Sequence, residues 1–550
     1  MAVFRRELTI LITPEYMIPA AITQLDAMPQ TVNGKIDRNK LPIIEPKESG
    51  NNYVAPRNES ERYICETIEE VLRLEKNTVG VEDDFFKLGG DSLSGMILVS
   101  KLADKGISSF DVFSLRTAER LAALLDERNT NDSLDTLDDA ERKKPHKLSP
   151  MQIEMLDTQF AKLASTMFNN MSYFIRFSNK TDPEKFKKAV NAAIRNHPAL
   201  AMKISFNEDG EPEQTYSPDI LQEVEYEYMT DFEIIRLSKD LVRPFNIFKE
   251  PLLRVRLFKS PRYIYLFFDV HHLSMDGSSL GIVLDDIIRA YRGEPLPRDY
   301  YCAYLASEEK IRNSLQYQED KDYFISTYGG YNWRNIPEPD KDAKDELLLE
   351  ADSRQIKLPF DEEDLAAAEK RLKVSRSVIA IAVAIQTLHE FSGDDDIMTN
   401  WIFNNRLGGY ASNSVGMLIK NLPVGVHMDK IKDMNALFAE VKRQVTEGIA
   451  HSSYDYFAAN NNRFQNDPME VNYQLNINAD ELNELQPFYL PLSNSFNAPG
   501  ARLELEFLEN DNNSGCFESE FEWAGNIFSR NYIVKFHNLY IENFIKAVLG

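Results

Sequence analysis

Residues 263–270, YIYLFFDV, constrain this 550-residue chain more than any other stretch. An apolar run rich in aromatic and β-branched residues reads as a buried strand, and this one ends on two adjacent histidines, His271 and His272. Successive strand side chains face opposite sides of a sheet. One imidazole therefore points into the core and its neighbour into whatever space lies opposite. Four residues after His272 comes Asp276, then Gly277, with Ser278 and Ser279 placed to cap the next helix. That helix is marked by Leu280, Val283, Leu284, Ile287, Ile288 and Tyr291 at helical spacing. Histidine is the side chain best placed to exchange a proton near neutral pH.

The string HHLSMDG resembles the HHxxxDG signature of nonribosomal peptide synthetase condensation domains, whose fold is that of chloramphenicol acetyltransferase. The resemblance implies that His272 faces a tunnel where an amine attacks a carrier-bound thioester, as general base or as positioner of the amine. It implies that His271 orders the loop, that Gly277 completes the signature, and that Asp276 is structural and pairs with an arginine. A bare histidine pair at a strand end would read as two satisfied core residues. The acid and the glycine at this spacing, between a strand and a helix, separate the two readings.

Composition excludes several alternatives. Net charge is −25, from 87 acidic and 62 basic residues, which argues against nucleic-acid binding as a main activity. Cys65, Cys302 and Cys516 are too few and too dispersed for a disulfide framework or a zinc site; they read as buried apolar residues in a reducing compartment, and no metal site is expected. Met1–Ile10 holds Arg5, Arg6 and Glu7, unlike a signal peptide, and the longest aliphatic run, Val378–Ile385, is too short to span a bilayer. A cytoplasmic protein without membrane association is the expectation.

The length accommodates several domains. Near the start, Asn33-Gly34 is a strong turn signal and places Lys35 just after a tight turn. The stretch NGKIDR resembles the C-terminal end of a synthetase adenylation domain, in which Lys35 would match the lysine of the ATP-dependent step. Nothing in the chain would hold an adenylation substrate against it, so residues 1–45 are expected to be a remnant that does not adenylate. A breaker-rich linker leads to a helix starting near Asn58, with Glu61 as a possible capping-box partner.

Next comes VEDDFFKLGGDSLSGMILVSKL, residues 81–102. Gly89-Gly90 permits unusual backbone angles, and Asp91-Ser92 opens a helix continuing through Leu93, Met96 and Ile97. A serine there is often only a cap. The segment resembles the FFxLGGDSL signature of peptidyl carrier domains, which implies that Ser92, flanked by Asp91 and Leu93, carries a covalent 4′-phosphopantetheine. A phosphodiester beside a helix N-terminus meets free N–H groups and the favourable end of the dipole. Residues 53–128 are thus expected to form a small four-helix-bundle carrier. Residues 129–147, polar and of mixed charge, read as a flexible linker that lets the carrier reach more than one site.

From residue 148 to 550 the resemblance is to a condensation domain, an α/β fold of two similar lobes in a V (148–335 and 336–550). Where the family has RHExLR this chain has NHPALA, so His197 reads as structural. Arg406, ending SGDDDIMTNWIFNNR, is the candidate partner of Asp276 in a bidentate pair. Lys420, Gly425 and His451–Ser453 depart from the family's tunnel and crossover motifs. The expected activity is amide formation by amine attack on an acyl or aminoacyl thioester. The implied partners are a phosphopantetheinyl transferase, an upstream adenylation domain and a downstream acceptor carrier. Three alternatives keep the fold: a terminal domain using a free amine, an epimerisation domain, and an inactive carrier and docking scaffold. The glutamate motif of epimerisation domains has no counterpart between Asp340 and Phe360. A fused carrier disfavours free acyl-CoA as the donor.

Overall fold

The structure, a computed structural model, describes residues 53–550 apart from 73, 86–87, 89, 91, 103–104, 106, 108–110, 113–114, 131–133, 162–168, 179, 343–350, 407–408, 460–467, 475–484, 486, 491, 493–501 and 511–515. Lys35, the rest of residues 1–45, and Asp91 lie outside the described residues. The chain divides into two compact units, residues 1–129 and 130–550.

In the first unit, α1 (Glu59–Leu72) starts where Asn58 Oδ1 accepts the Glu61 N–H at 2.7 Å. The Glu61 carboxylate accepts the Arg57 N–H at 2.6 Å and the Arg57 guanidinium. The reciprocal contact of the expected capping box therefore falls one residue earlier, on Arg57. Ile64 and Ile68 of α1, Leu98 and Leu102 of α2 (Ser92–Leu102), and Leu121 and Leu125 of α3 (Ala118–Thr130) are buried. This is the apolar stripe that a small helical bundle needs. Ser92 is the first residue of α2, and Leu93 follows in the same turn. Just before it, the Gly90 N–H donates to the Phe85 carbonyl at 3.0 Å. A Cβ at 90 would lie 2.4 Å from the Phe85 ring, so only glycine lets the chain close there.

The second unit opens with α4 (Leu134–Glu141) and β1 (Pro145–Lys147). Its first half continues with α5 (Pro150–Ala161), β2 (Asn170–Phe177), α6 (Pro183–Asn196), β3 (Met202–Phe206), β4 (Pro212–Tyr216), β5 (Tyr226–Tyr228) and α7 (Asp231–Leu237). Then come β6 (Leu253–Lys259), β7 (Ile264–His271), α8 (Gly277–Arg292), α9 (Tyr301–Arg312) and α10 (Leu315–Tyr328). The second half holds β8 (Ala351–Lys357), α11 (Glu362–Leu372), α12 (Arg376–Ser392), β9 (Asp396–Phe403), β10 (Lys420–His427) and α13 (Met434–Ala450). It ends with β11 (Glu470–Gln474), β12 (Phe488–Tyr489), β13 (Leu503–Asn510), β14 (Cys516–Ala524) and α14 (Arg530–Leu549).

The tether expected over residues 129–147 is corrected by these elements. α3 runs on to Thr130, α4 is helical, and β1 pairs antiparallel with β4. Asp138 of α4 is fully buried, accepting from Arg142 Nε at 2.7 Å, Arg298 Nη2 at 3.0 Å and the Ala303 N–H at 3.2 Å. The segment lacks apolar surface, as its composition says. It docks through charge, and the docking cation stands 160 residues away in the chain.

Two main sheets carry the second unit. One has the order β12-β2-β7-β6-β5, the other β10-β9-β11-β13-β14-β8. β12 comes from the second half yet pairs antiparallel with β2 of the first. Every residue of β7 is buried. On one face Leu266, Phe268 and Val270 pack with Ile175 and with α6 and α8 residues; on the other Tyr265 and Phe267 pack with Phe174 and Ile234. The six-stranded sheet differs. Val471, Leu503, Leu505, Phe507, Phe521 and Trp523 join the core with α12 and α14. The alternate positions include Glu470, Asn472, Glu504, Glu506, Glu518, Glu520 and Glu522, all half-buried, and the register sets Lys357 and Gln355 of β8 beside Glu518 and Glu520.

Among the described residues no single helix is long and apolar enough to cross a membrane. The pair α11–α12 passes that test only when joined across an 80° bend, and α12 lies in the core.

Candidate active site

β7 delivers the histidines. His271 ends the strand, buried to 1 % exposure, and its N–H donates to the Leu252 carbonyl at 2.9 Å. Its Nδ1 accepts the Leu273 N–H at 3.1 Å, which puts the ring proton on Nε2. The Phe245 ring stands edge-on to it at 5.8 Å, and Arg254 stacks over Phe245 at 3.6 Å. Burial, then His272 and Arg254, push the His271 pKa down to about 3. It is a neutral ring across the working pH range, held inside the loop.

His272 lies just beyond the strand and is half-buried, its N–H donating to the Asn169 carbonyl at 2.7 Å. Its Nδ1 is shut off from solvent and makes no hydrogen bond to another residue. Burial lowers its pKa, against the pull of Asp276 and of its own backbone carbonyl. His271 is buried at the strand end, while His272, in the turn beyond it, is half-buried.

Asp276 is fully buried and is the N-cap of α8, its Oδ1 accepting the Ser279 N–H at 3.0 Å. The cap expected at Ser278 or Ser279 is therefore one turn too late. A carboxylate outcompetes a hydroxyl there because it takes the helix N–H and an arginine together. Arg406 supplies that arginine, with Nη1 on Asp276 Oδ2 at 3.0 Å and Nη2 on Oδ1 at 2.9 Å. It reaches the acid because Asn405, in left-handed backbone at φ 53°, turns the chain sharply after β9. Gly277 begins α8 directly after the acid.

Three further groups join this pair in a role that sequence reading did not give them. Ser279 Oγ donates to Asp276 Oδ1 at 2.9 Å, and it accepts from Arg406 Nη2 at 2.7 Å and from the Gly416 N–H at 3.0 Å. The Gly416 carbonyl accepts the Asp276 N–H at 3.1 Å, and the Leu418 N–H donates to Asp276 Oδ2 at 3.0 Å. A Cβ at Gly416 would lie 2.2 Å from the Tyr301 ring. The glycine in SVGMLIKNLP was the available signal, but it acquires meaning only once its partner 140 residues upstream is known.

His197 stands apart from the His272 loop. Its Nδ1 is 2.8 Å from Asp299 Oδ2 and its Nε2 3.3 Å from Asp286 Oδ2, all three side chains buried. Burial opposes the charge, yet the two carboxylates prevail and raise its pKa to about 9. The same Asp299 Oδ2 accepts the Val415 N–H at 3.0 Å, so this triad anchors the segment that carries Gly416.

The departures from family motifs are each built into the structure. Lys420 Nζ bridges Glu308 at 3.2 Å and the Ser452 carbonyl at 2.9 Å. Gly425 exchanges two hydrogen bonds with the Gln444 carboxamide, and Trp333 and Tyr328 fill the space a side chain would take. His451 stacks on Tyr323 at 4.0 Å and shares Asp320 with Ser453.

Comparison with known proteins adds family and fold. The family model for the condensation domain matches residues 143–549, and that for the phosphopantetheine attachment site matches residues 62–125. The chain is 28 % identical over 458 residues to tyrocidine synthase 3 of Brevibacillus parabrevis, covering 81 % of this chain and 7 % of that one. It is 29 % identical over 453 residues to surfactin synthase subunit 1 of Bacillus subtilis (strain 168), covering 80 % and 12 %. It thus spans about a tenth of the length of these relatives. Among solved structures, the condensation domain from Monacolin K polyketide synthase superposes with a TM-score of 0.64 at 16 % identity, over 74 % of this chain and 98 % of that one. The first condensation domain of the CDA synthetase gives 0.60, and an epimerization domain from tyrocidine synthetase gives 0.61.

Proposed function

The chain belongs to the condensation-domain family and carries a phosphopantetheine attachment site; from that premise we propose that it forms amide bonds between a thioester donor and an amine. Ser92 carries the acyl or aminoacyl cargo on a 4′-phosphopantetheine arm, placed by a phosphopantetheinyl transferase. The first residue of α2 suits a phosphodiester, which meets free N–H groups there. The arm supplies a flexible thioester; the chain's own residues supply the rest.

The observation that carries this reading is the state of His272. Its Nδ1 is shut off from solvent while burial lowers its pKa, so the ring is neutral and Nε2 is the nitrogen left to meet a substrate. An ammonium must lose a proton before it attacks, and Nε2 takes it or orients the amine. Asp276 and Arg406, already saturated by each other and by Ser279, Gly416 and Leu418, fix the loop and take no part in the proton transfer. Cargo comes from an upstream adenylation domain and leaves on the amine of an acceptor carrier or on a free amine, in the cytoplasm.

Lys420, Gly425 and His451, the departures that motivate the inactive-scaffold alternative, are accommodated by contacts of their own, and that alternative is decided by the same test. The test is the intact mass of the full chain, loaded on Ser92 with an aminoacyl-phosphopantetheine and offered a panel of amines and acceptor carriers. Loss of the acyl mass with amide formation, abolished by His272→Ala, is the expected result. Exchange of the α-hydrogen in deuterated water without transfer would instead make it an epimerase.

A further inference from the structure

The turn that bears His272 is held from one helix. α5 starts at a reciprocal cap, in which Ser149 Oγ accepts the Gln152 N–H at 3.1 Å and Gln152 Oε1 accepts the Ser149 N–H at 2.9 Å. A glutamate would serve that cap equally, since the cap needs only an acceptor. Glutamine also has an amide nitrogen, and Gln152 Nε2 donates to the Leu273 carbonyl at 2.7 Å. These two contacts fix which end of the carboxamide is which, because a backbone N–H can only donate and a backbone carbonyl only accept. The oxygen takes a further bond from Gln214 Nε2 at 2.9 Å, and Gln214 Oε1 accepts from the Tyr301 hydroxyl at 3.2 Å. Gln152 is fully buried.

A second glutamine lies seven residues on. Two helical turns bring Gln159 to the same face of α5, about 10 Å further along its axis, and it too is buried. Its Oε1 accepts from Asn169 Nδ2 at 3.1 Å. The Asn169 backbone carbonyl is the group that takes the His272 N–H, at 2.7 Å. Between the two glutamines, Leu156 packs in one cluster with the Leu273 side chain. α5 thereby grips the chain on both sides of His272, through Asn169 before its Cα and through the Leu273 carbonyl after it. Holding the peptides that flank a residue sets the direction in which its Cα–Cβ bond leaves the backbone. An apolar side chain at 152 or 159 would fill the same helix face with no polar group to satisfy; what the carboxamides add is that fixed direction.

We propose that Gln152 and Gln159 are positioning residues for amide formation, holding the backbone on both sides of His272 so that its Nε2 stays on the line of the attacking amine. The assignment rests on the amide-forming reading above and adds to it two residues that act through His272 rather than on the substrate. In the step they serve, the N–C bond forms as the thioester C–S bond breaks. The proton shed by the attacking nitrogen passes through His272 to the departing thiolate, and no part of that transfer runs through a carboxamide. Misplacing a reacting group by about 1 Å from a distance costs about 10²-fold in rate, so a grip on the backbone governs the reaction without touching the ring.

The experiment uses the full chain, loaded on Ser92 with an aminoacyl-phosphopantetheine, and the amine or acceptor carrier from which wild type makes an amide. Gln152→Met and Gln159→Met are each expected to lower kcat by about 10–100-fold with KM for the amine unchanged. Neither is expected to add to the loss in His272→Ala, because both act through that ring. Gln159 works through its oxygen, so Gln159→Glu is expected to recover most of the rate that Gln159→Met loses. Ser149→Ala separates the cap from the grip. It removes the Oγ and leaves the Ser149 N–H on Gln152, so it is expected to lower the urea midpoint and spare kcat. An unchanged kcat in the methionine variants, a loss that multiplies with that of His272→Ala, a Gln159→Glu variant as slow as Gln159→Met, or a Ser149→Ala variant as slow as Gln152→Met overturns the assignment. Should Gln152→Met fail to fold, the two Gln159 variants decide by the same criteria. If wild type makes no amide, the amide-forming reading falls, and carbethoxylation of His272 by diethyl pyrocarbonate, read by peptide mass, decides whether the grip exists. Faster modification in the methionine variants than in wild type and Ser149→Ala supports it, and equal rates sink it.

Discussion

The two large sheets of the second unit are built from similar strands and end up with opposite characters. The sheet that carries His271 is filled on both faces, by Leu266, Phe268 and Val270 on one side and Tyr265 and Phe267 on the other. The other sheet has its core on one face and presents a polar row on the second, with Glu470, Glu504, Glu506, Glu518, Glu520 and Glu522 joined by Gln355 and Lys357. A doubly packed sheet has no freedom to reposition a side chain at its end, which suits a residue that must meet a reacting nitrogen. A half-packed sheet leaves a face whose chemistry can vary without touching the core.

That comparison breaks most visibly at His272. His272→Ala is expected to slow acyl transfer from loaded Ser92 by about 10²–10⁴-fold, the usual worth of a positioned acid–base group, with loading itself unchanged, as read by single-turnover mass measurements. If transfer survives, the first sheet supplies only a frame. Acyl transfer should also fall on the acid side with an apparent pKa below the ordinary value of about 6.5, because burial lowers that of His272; a limb above that value would mean another group takes the proton.

Stability sharpens the contrast next. Arg406→Met leaves Asp276 buried and unpaired and is expected to cost about 3–5 kcal/mol, seen as a lower midpoint in urea. Gly416→Ala drives a methyl into Tyr301 and is expected to cost about 1–3 kcal/mol.

His197 and His271 should respond to pH in opposite senses. His197 is raised to about 9 by Asp286 and Asp299, so the folded state holds its proton more tightly. Its stabilisation is full below about pH 6.5 and fades as pH climbs through 9. His271 is lowered to about 3, so the unfolded state binds the proton first and stability is lost as pH falls below about 6.5. Urea midpoints of wild type, His197→Gln and His271→Gln across pH 4–10 check both, each variant flattening one limb. The smallest effect belongs to the other sheet. Glu504 is raised by burial and by its neighbours, so Glu504→Gln is expected to stabilise the protein slightly, by at most about 1 kcal/mol, and only at pH values where the carboxylate would be charged.

How much of this was legible follows from distance along the chain. His271, His272, Asp276 and Gly277 fall within seven residues, so a local pattern exposed them. Arg406 was reachable because its surroundings form a second local pattern, and the structure pairs it with Asp276. Ser279 looked like a cap, because its partners Arg406 and Gly416 are contributed by chain more than 120 residues away. Residues 129–147 looked like a tether for the same reason, since Arg298 neutralises Asp138 from far downstream. The glutamate row was invisible: alternating acids in β13 and β14 read as any solvent-facing strand until the register laid them side by side.

The joint around Asp276 has a mechanical consequence. The Asp276–Arg406 pair, the Gly416 and Leu418 backbone bonds and the Asp299–Val415 bond all tie the first half to the same short segment between β9 and β10. Every one of them is buried or half-buried, and they lie beside the loop that bears His272. Any breathing of the two halves against each other must therefore turn about this joint together with the second tie, β12 on β2, as a door turns on two hinge pins. The region around His272 moves least, and parts remote from it travel furthest. Substrates can then be admitted and released by large excursions elsewhere without the reacting centre losing its alignment.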